Sequence, residues 1–263
     1  MVETGAGTCA APARGPPLPQ NAESLPPCSF SAKMLYYIIM NNSIFFRLRS
    51  LPDRTADRVL FACGLFLAAS ETYKQLFLYY IINHGSYDWW FFPFQLCSLP
   101  MYLCLLLPFL RDRAVKTTLY TFMQDYNLLG GIAALLVPEG FLGIHWTLSI
   151  HGYAWHTMLI LIGVFIFLTG RSSLSDKGFA RTIPVFVICC CIATLINIYA
   201  PGHGRADMFY ISPYYPTTQI IFHDIALRIG IQPANLLYLA VICLGGYVVH
   251  RVFGRISRIL YHK

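Results

Sequence analysis

The sequence predicts an all-α protein, a polytopic membrane helical bundle with about six transmembrane helices. Of its 263 residues, 56% are hydrophobic and only 12% are charged, whereas a soluble domain carries about 25% charged residues. Several apolar stretches reach the roughly 20 residues that a helix needs to cross a bilayer. Basic residues alternate with these stretches and form no single patch. The net charge of +7 therefore indicates membrane topology and argues against a nucleic-acid partner.

The chain divides into four predicted parts. Residues 1–33 are rich in Pro, Ala and Gly, lack the features of a signal peptide, and are expected to be a disordered tail. Residues 34–58 combine a short apolar segment, expected to be an interfacial helix over Met34 to Phe46, with a basic cytoplasmic linker. Residues 59–250 form the transmembrane helical domain, and residues 251–263 form a basic cytoplasmic tail.

The transmembrane domain is expected to contain six spans. Their approximate bounds are Val59 to Ile82, Phe91 to Leu110, Thr117 to Val137, Thr147 to Thr169, Ile183 to Ala200 and Pro233 to Val249. Arg and Lys cluster in alternate connections, while the opposite connections hold only Arg205 and Arg228. This bias predicts an integral membrane protein with both termini in the cytoplasm. The Gly- and Pro-rich connection from Pro201 to Gln232 is expected to fold back over the outer mouth of the bundle.

Polar residues inside the predicted spans indicate a functional site. Ionisable groups in hydrocarbon are costly, so they usually face a bundle interior or a water-filled cavity. The residues concerned are Glu71, Lys74, Cys97, Asp125, His151, His156 and Asn197. At a rise of about 1.5 Å per residue their depths are compatible with one cavity that opens toward the outer leaflet.

Span two has a pattern that suits a nucleophile. Pro100 lacks the amide that would bond the carbonyl of Leu96, so the helix is expected to kink beside Cys97. Gln95 precedes Cys97 by two residues and is a candidate donor to an oxyanion. The other cysteines in the spans are expected to be small apolar fillers, and no Cys/His metal spacing occurs, so no metal and no cofactor are expected.

The other polar residues leave several roles open. His151 and His156 are five residues apart, about 140° around a helix, so one is expected to be reactive and the other a hydrogen-bonded partner, or both are structural. Glu71 and Lys74 are three residues apart, which favours mutual neutralisation. Asp125 could hydrogen-bond a histidine or line a proton path.

Three segments together resemble a known family. They are Phe92 to Tyr102, which contains Gln-Leu-Cys, Leu128 to Pro138, and the His-Gly-Tyr-Ala-Trp-His-Thr run from His151 to Thr157. With Asn197 and the Met208-Phe209-Tyr210 run, they resemble the YwaF-like bacterial integral membrane proteins, over about residues 60–249. That group is similar to the eukaryotic membrane acyltransferases that remodel ether phospholipids.

The resemblance implies a phospholipid acyltransferase in a bacterial plasma membrane. It implies Cys97 as the nucleophile and a histidine base on a later span. Since the His-Thr pair is similar to the histidine motif of the androgen-induced, lipid-hydrolysing membrane proteins, we expect His156 to be the base. His151, Gln95, Asp125, Asn197 and Glu71 are then supporting or substrate-binding residues, and phospholipids and lysophospholipids are the partners.

Other functions remain compatible with the same residues. A related group uses a threonine nucleophile for hydrolysis, which leaves an intramembrane lipid hydrolase as an alternative. A proton-coupled transporter could use Asp125, Glu71 and the histidines as a relay, although the chain lacks clear internal repeats. Haem ligation by His151 and His156 is disfavoured because both lie on one helix.

Overall fold

Helices make up the regular secondary structure of the described residues, which confirms the all-α fold class. The computed structural model describes residues 47–143, 145–200 and 206–261, within one compact unit that spans 46–263. The α-helices are α1 (Asp53–Phe77), α2 (Leu99–Leu106), α3 (Arg113–Phe122), α4 (Leu128–Leu136), α5 (Trp146–Leu168), α6 (Asp176–Tyr199), α7 (Ile220–Ile229) and α8 (Ile231–Tyr261). Two π-helical turns, Leu78–Ile82 and Met123–Asn127, extend α1 and join α3 to α4.

Some sequence predictions concern residues outside this description. They are the tail of residues 1–33, the interfacial helix from Met34 to Phe46, and residues 201–205 of the long connection. At the other end, α8 continues to Tyr261, so most of the segment predicted as a basic tail belongs to the last helix.

Three helices are long and apolar enough to cross a membrane. They are α5, α6 and the Ile231–Ile259 part of α8, and Leu96–Phe109 forms a shorter apolar helical segment. Helix α1, which covers most of the first predicted span, carries Asp57, Glu71 and Lys74. Such polar side chains lower the mean hydropathy of a helix. The helix can still belong to a membrane bundle, because neighbouring helices can supply hydrogen-bond and ion-pair partners.

The helix of span two begins later than expected, and the predicted kink at Pro100 is wrong. Residues Leu96–Ser98 form a 3₁₀ turn, and α2 starts at Leu99. Pro100 therefore lies in the first turn of α2, where the amide that proline lacks would have no intrahelical partner. As a result, Cys97 lies in the turn just before a helix N-terminus and not at a bend within a helix.

Small residues allow the helices around this turn to approach closely. A Cβ atom added to Gly64 of α1 would lie 3.0 Å from the Cβ of Cys104 on α2. A Cβ added to Gly131 of α4 would lie 3.0 Å from the carbonyl oxygen of His156 on α5. Such contacts are typical of membrane helices, where packing drives association. They place α2 and α5 firmly against their neighbours.

The described part of the long connection folds back into the bundle. Met208 is 0% exposed and Phe209 is 3% exposed, and the Phe209 ring lies 6.0 Å from that of Phe94. Phe209 and Tyr210 both have φ of 58°, which is an uncommon backbone conformation for bulky residues. Such a conformation persists only where surrounding contacts hold it.

Candidate active site

One cavity brings together most of the residues singled out from the sequence. It has a volume of about 130 Å³ and lies where α1 ends, α2 begins and α5 begins. Five of the seven predicted site residues line it, together with Lys74: Glu71, Gln95, Cys97, His151 and His156. Leu78, Phe91, Phe92, Phe141 and Leu148 supply apolar walls. The cavity therefore combines a thiol and two imidazoles with a surface suited to hydrocarbon.

Two side chains hold the turn that carries Cys97. The indole Nε1 of Trp155 donates to the carbonyl oxygen of Cys97 at 3.1 Å. The amide of Asn127, in the π-helical turn, donates to the carbonyl oxygen of Leu96 at 2.7 Å. The turn leads into the N-terminus of α2, whose partial positive charge favours an anion nearby. The backbone of the Cys97 turn is thus held by α5 and by the α3–α4 junction.

His156 is held in one orientation and one tautomer. Its Nδ1 lies 2.8 Å from the carbonyl oxygen of Gly152, and because a carbonyl oxygen can only accept, Nδ1 carries the hydrogen. The neutral ring therefore has its lone pair on Nε2. Phe141 stacks on the ring, with centroids 5.1 Å apart. Gly152 makes room for this contact, because an added Cβ would lie 2.3 Å from the Phe141 ring.

His151 lines the same cavity but lacks a hydrogen-bond partner at one ring nitrogen. Its ring stacks on that of Trp155, with centroids 5.5 Å apart. Its Nε2 is buried and makes no hydrogen bond to the described residues. Although the two histidines are about 140° apart around α5, both border the cavity, because it extends across Gly152 and Trp155 between them. His151 is therefore available to a ligand.

The ion pair expected from the spacing of Glu71 and Lys74 is present. Lys74 Nζ lies 2.9 Å from Glu71 Oε1. Gln75 also donates to Glu71, at 2.7 Å, and to the carbonyl oxygen of Phe91, at 2.6 Å. The pair thus anchors the end of α1 to the segment before Cys97. Lys74 also brings a cation to the cavity wall, and a cation near a cysteine stabilises its thiolate.

Gln95 and Asn197 hold the returning connection. Gln95 donates to the carbonyl oxygen of Asp207 at 2.8 Å and accepts from the amide of Phe209 at 2.7 Å. Asn197 accepts from the amide of Met208 at 2.7 Å and donates to its carbonyl oxygen at 3.1 Å. Since both ends of the Gln95 amide are engaged, this geometry gives Gln95 a positioning role.

Asp125 lies in a different polar cluster. Its Oδ2 is 2.8 Å from Nδ1 of His250 on α8, and its Oδ1 accepts from Gln124 at 3.0 Å. His250 Nε2 lies 3.2 Å from the carbonyl oxygen of Ser175. Asp125 does not border the Cys97 cavity, and the histidine that it hydrogen-bonds is His250, so it does not orient His156. The carbonyl of Gly152 does so instead.

Sequence reasoning missed Trp155, Asn127 and Phe141. Phe141 is an aromatic residue near a span end, a pattern that by itself indicates an interfacial belt, and Trp155 lies well inside an apolar span, where a bulky apolar ring gives no signal of its own. Asn127 shows no periodic signal. Their contacts join segments far apart in the chain, which spacing cannot reveal. Within the described ranges, no group of three or more His, Cys, Asp or Glu residues is placed to hold a metal ion.

Comparison with known proteins gives one match. No curated protein and no solved structure matches the chain. The family model of the TMEM164 family, a membrane protein family, matches residues 24–245 and so covers the bundle from before α1 into α8. The match includes every residue of the cavity. With its apolar helices and this match over most of its length, the chain is an integral membrane protein that belongs to the TMEM164 family.

Proposed function

We propose that this protein is a membrane-embedded phospholipid acyltransferase in which Cys97 is the nucleophile and His156 the general base. The observation that carries the proposal is the shared cavity, which Cys97 and His156 line together with apolar residues, and in which the Nδ1 hydrogen bond of His156 leaves the ring lone pair on Nε2. Covalent catalysis by cysteine needs a base and an anion-stabilising environment. Two imidazoles and the ammonium group of Lys74 border the same cavity as Cys97, which supports the proposal.

The first half-reaction forms an acyl-enzyme. His156 Nε2 takes the proton of the Cys97 thiol, and the thiolate attacks the carbonyl carbon of a phospholipid ester. The resulting oxyanion needs a donor, and His151 is the candidate if its unpartnered Nε2 carries a hydrogen. When the ester bond breaks, the imidazolium of His156 returns the proton to the departing lysophospholipid oxygen. The acyl group is then a thioester on Cys97.

The second half-reaction transfers the acyl group to an acceptor. A lysophospholipid hydroxyl gives its proton to His156 Nε2 and attacks the thioester carbonyl. The C–S bond breaks, and the proton on His156 returns to the sulfur. Exclusion of water decides between transfer and hydrolysis, and the apolar walls at Phe91, Phe92 and Leu148 favour an acyl chain over water.

Trapping of the acyl-enzyme tests this function. The purified full-length protein, treated with an electrophilic acyl probe, is expected to be labelled at Cys97. Cys97→Ser is expected to abolish labelling. His156→Ala is expected to reduce the labelling rate by about 10²- to 10⁴-fold, the usual contribution of a general base. Cys63→Ser is the matched control, because Cys63 packs on the core and does not line the cavity.

Full labelling of a folded Cys97→Ser variant would remove Cys97 as the nucleophile. If His151→Ala loses labelling while His156→Ala does not, the two histidines exchange roles. The products separate transfer from hydrolysis: a re-acylated lysophospholipid supports the transferase, and a free fatty acid supports the alternative, an intramembrane lipid hydrolase.

The proposal extends to the membrane location and the orientation of the protein. Phospholipid and lysophospholipid would enter from the bilayer to a cavity at the end of the bundle opposite to the basic connections. A plasma-membrane location with both termini in the cytoplasm places this cavity toward the outer leaflet. Single cysteines introduced into the α2–α3 and α5–α6 connections would test that orientation, because they should be labelled only by reagents that reach the cytoplasmic side of the membrane.

A further inference from the structure

A second, larger cavity lies at the opposite end of the bundle. It has a volume of about 390 Å³ and is formed where α1 and α3 begin and α5 ends. None of its lining residues borders the Cys97 cavity. Cavities of roughly 300–1,000 Å³ are typical of small-molecule sites. The space is therefore large enough for a ligand and separate from the proposed catalytic groups.

The lining of this cavity is strongly basic. Its charged members are Arg49, Arg113, Lys116, Arg171, Asp53 and Asp57, so four cationic and two acidic side chains leave a net charge of +2. Thr117, Tyr120, Thr169 and Ser172 add hydroxyl groups. Guanidinium and ammonium donors around one space form a lining that favours a multiply charged oxyanion.

Both carboxylates of the lining are paired with basic side chains. Asp57 forms an ion pair with Lys116, at 2.5 Å, and accepts a hydrogen bond from the hydroxyl of Tyr120. Asp53 pairs with Arg171, but its side chain is 74% exposed. The hydrogen bond from Arg171, helped by the charges of Arg113 and Lys116, lowers the pKa of Asp53 below its ordinary value. The basic side chains of the cavity thus make the electrostatic potential at Asp53 positive.

Arg171 is the observation that points to a missing ligand. Its side chain is only 8% exposed. One guanidinium nitrogen bonds Asp53, and Nη2 donates to the carbonyl oxygen of Leu51 at 2.9 Å. Its Nε is buried and makes no hydrogen bond to the described residues. A buried donor left unpaired costs stability, and arginine readily completes its donor set with phosphate.

We propose that this cavity binds a phosphate group, with Arg171 and Arg113 as the principal contacts. Basic pockets between transmembrane helices at the membrane surface suit anionic lipid head groups, and a free phosphate would offer the same oxygens. The head group of an acidic phospholipid held here would tie the starts of α1 and α3 to the end of α5. The site does not depend on the chemistry at Cys97.

Thermal unfolding of the purified full-length protein in neutral detergent tests the site. The probes are mixed micelles that contain phosphatidate, matched micelles that contain phosphatidylcholine, and inorganic phosphate. A ligand that binds only the folded state raises the Tm with its concentration. Phosphatidate is expected to raise the Tm of the wild type above its value in phosphatidylcholine.

Variants decide whether the cavity is responsible. Arg113→Gln and Arg171→Gln are expected to need about tenfold or more phosphatidate for the same shift, since each loses a charge-assisted contact. Arg113 is exposed, so its variant tests the site even if Arg171→Gln fails to fold. Arg181→Gln is the matched control, because Arg181 is an exposed residue of α6 that does not line the cavity.

The outcomes separate the two sources of phosphate and can overturn the proposal. A shift with inorganic phosphate that both variants weaken supports the site and assigns it to a free anion. A shift with phosphatidate alone assigns it to a lipid head group. The proposal is overturned if neither probe raises the Tm, or if Arg113→Gln retains the full shift, since binding would then be a surface effect.

Discussion

The polar region around Asp125 and the polar region around Cys97 differ in how completely their hydrogen-bonding groups are paired. Around Asp125 and His250, both carboxylate oxygens and both ring nitrogens lie within hydrogen-bond distance of protein partners. Around Cys97, a cavity remains, and the buried His151 Nε2 beside it has no hydrogen-bond partner among the described residues. Polar residues in transmembrane helices are functional candidates by default. The comparison teaches that a closed set of hydrogen bonds marks a structural pair, and an incomplete set beside a cavity marks a site.

Removal of the Asp125 charge is expected to have the largest effect on stability. Asp125→Asn breaks a fully buried pair with His250, and loss of one partner of such a pair costs about 3–5 kcal/mol. Thermal unfolding in detergent measures the loss, while labelling of Cys97 per folded molecule should be unchanged.

The matched control for this change is Asp176→Asn. Its ion pair with Arg251 is exposed, so the cost should stay below about 1 kcal/mol. Loss of Cys97 labelling in folded Asp125→Asn protein would contradict the division into two regions and favour a proton relay that includes Asp125.

Asp207, in the connection between α6 and α7, is a second buried carboxylate with incomplete pairing, because its Oδ2 has no hydrogen-bond partner among the described residues. Burial raises the pKa of Asp207 to about 6, and the hydrogen bond from the amide of Ser212 only partly offsets this rise. Because the folded protein holds this proton more tightly than the unfolded chain, the stability from this group should fall as pH rises from about 4 to about 6. Asp207→Asn should remove that fall and gain at most about 3 kcal/mol at neutral pH, since one pKa unit is about 1.4 kcal/mol.

Asp53 provides a control of opposite sign. Its pKa is lowered, chiefly by the hydrogen bond from Arg171, so its contribution is present at neutral pH and lost as pH falls. Unfolding of Asp53→Asn and Asp207→Asn across this pH range should show the free energies of unfolding of the two variants departing from that of the wild type in opposite directions. A pH profile of Asp207→Asn that matches the wild type would contradict the prediction.

Gly152→Ala is expected to loosen the packing over His156. The added methyl would lie 2.3 Å from the Phe141 ring, and such overpacking costs about 1–3 kcal/mol. Displacement of Phe141 frees the imidazole, so the rate of Cys97 labelling should fall by more than the stability alone explains.

Gly130→Ala is the matched control for Gly152→Ala. Nothing lies within 4 Å of a Cβ built on Gly130, so alanine in this helix should be neutral or slightly stabilising. Equal loss of labelling in both variants would show that the effect is general to the helices and not specific to the His156 pocket.

The smallest effect is expected at Trp155. Trp155→Phe keeps an aromatic ring against His151 but removes the donor to the Cys97 carbonyl oxygen. A single neutral hydrogen bond contributes about 1 kcal/mol, which corresponds to a reduction of roughly fivefold in the labelling rate if it is lost in the transition state. Trp146→Phe, at a residue that is 68% exposed, should leave the rate unchanged.

Much of the site's composition was predictable because membrane burial makes polar residues conspicuous. Glu71, Cys97, His151 and His156 stand out in apolar segments, and the structure brings them to one cavity. The sequence also indicated the pairing of Glu71 with Lys74, since a separation of three residues places side chains on one helix face. The start of α2 was not predictable from Pro100, because proline is compatible both with a kink and with a first helical turn.

The sequence by itself determined an all-helical membrane protein with its polar residues in the bundle, because composition, length and charge placement depend on local chemistry alone. Only the tertiary structure separated Asp125 from the histidines of α5 and joined it to His250, 125 residues away. It also recruited Trp155 and Asn127 to the Cys97 turn. The reason is physical: the rotation and order of packed helices are set by contacts between distant segments, and no spacing along one helix records them.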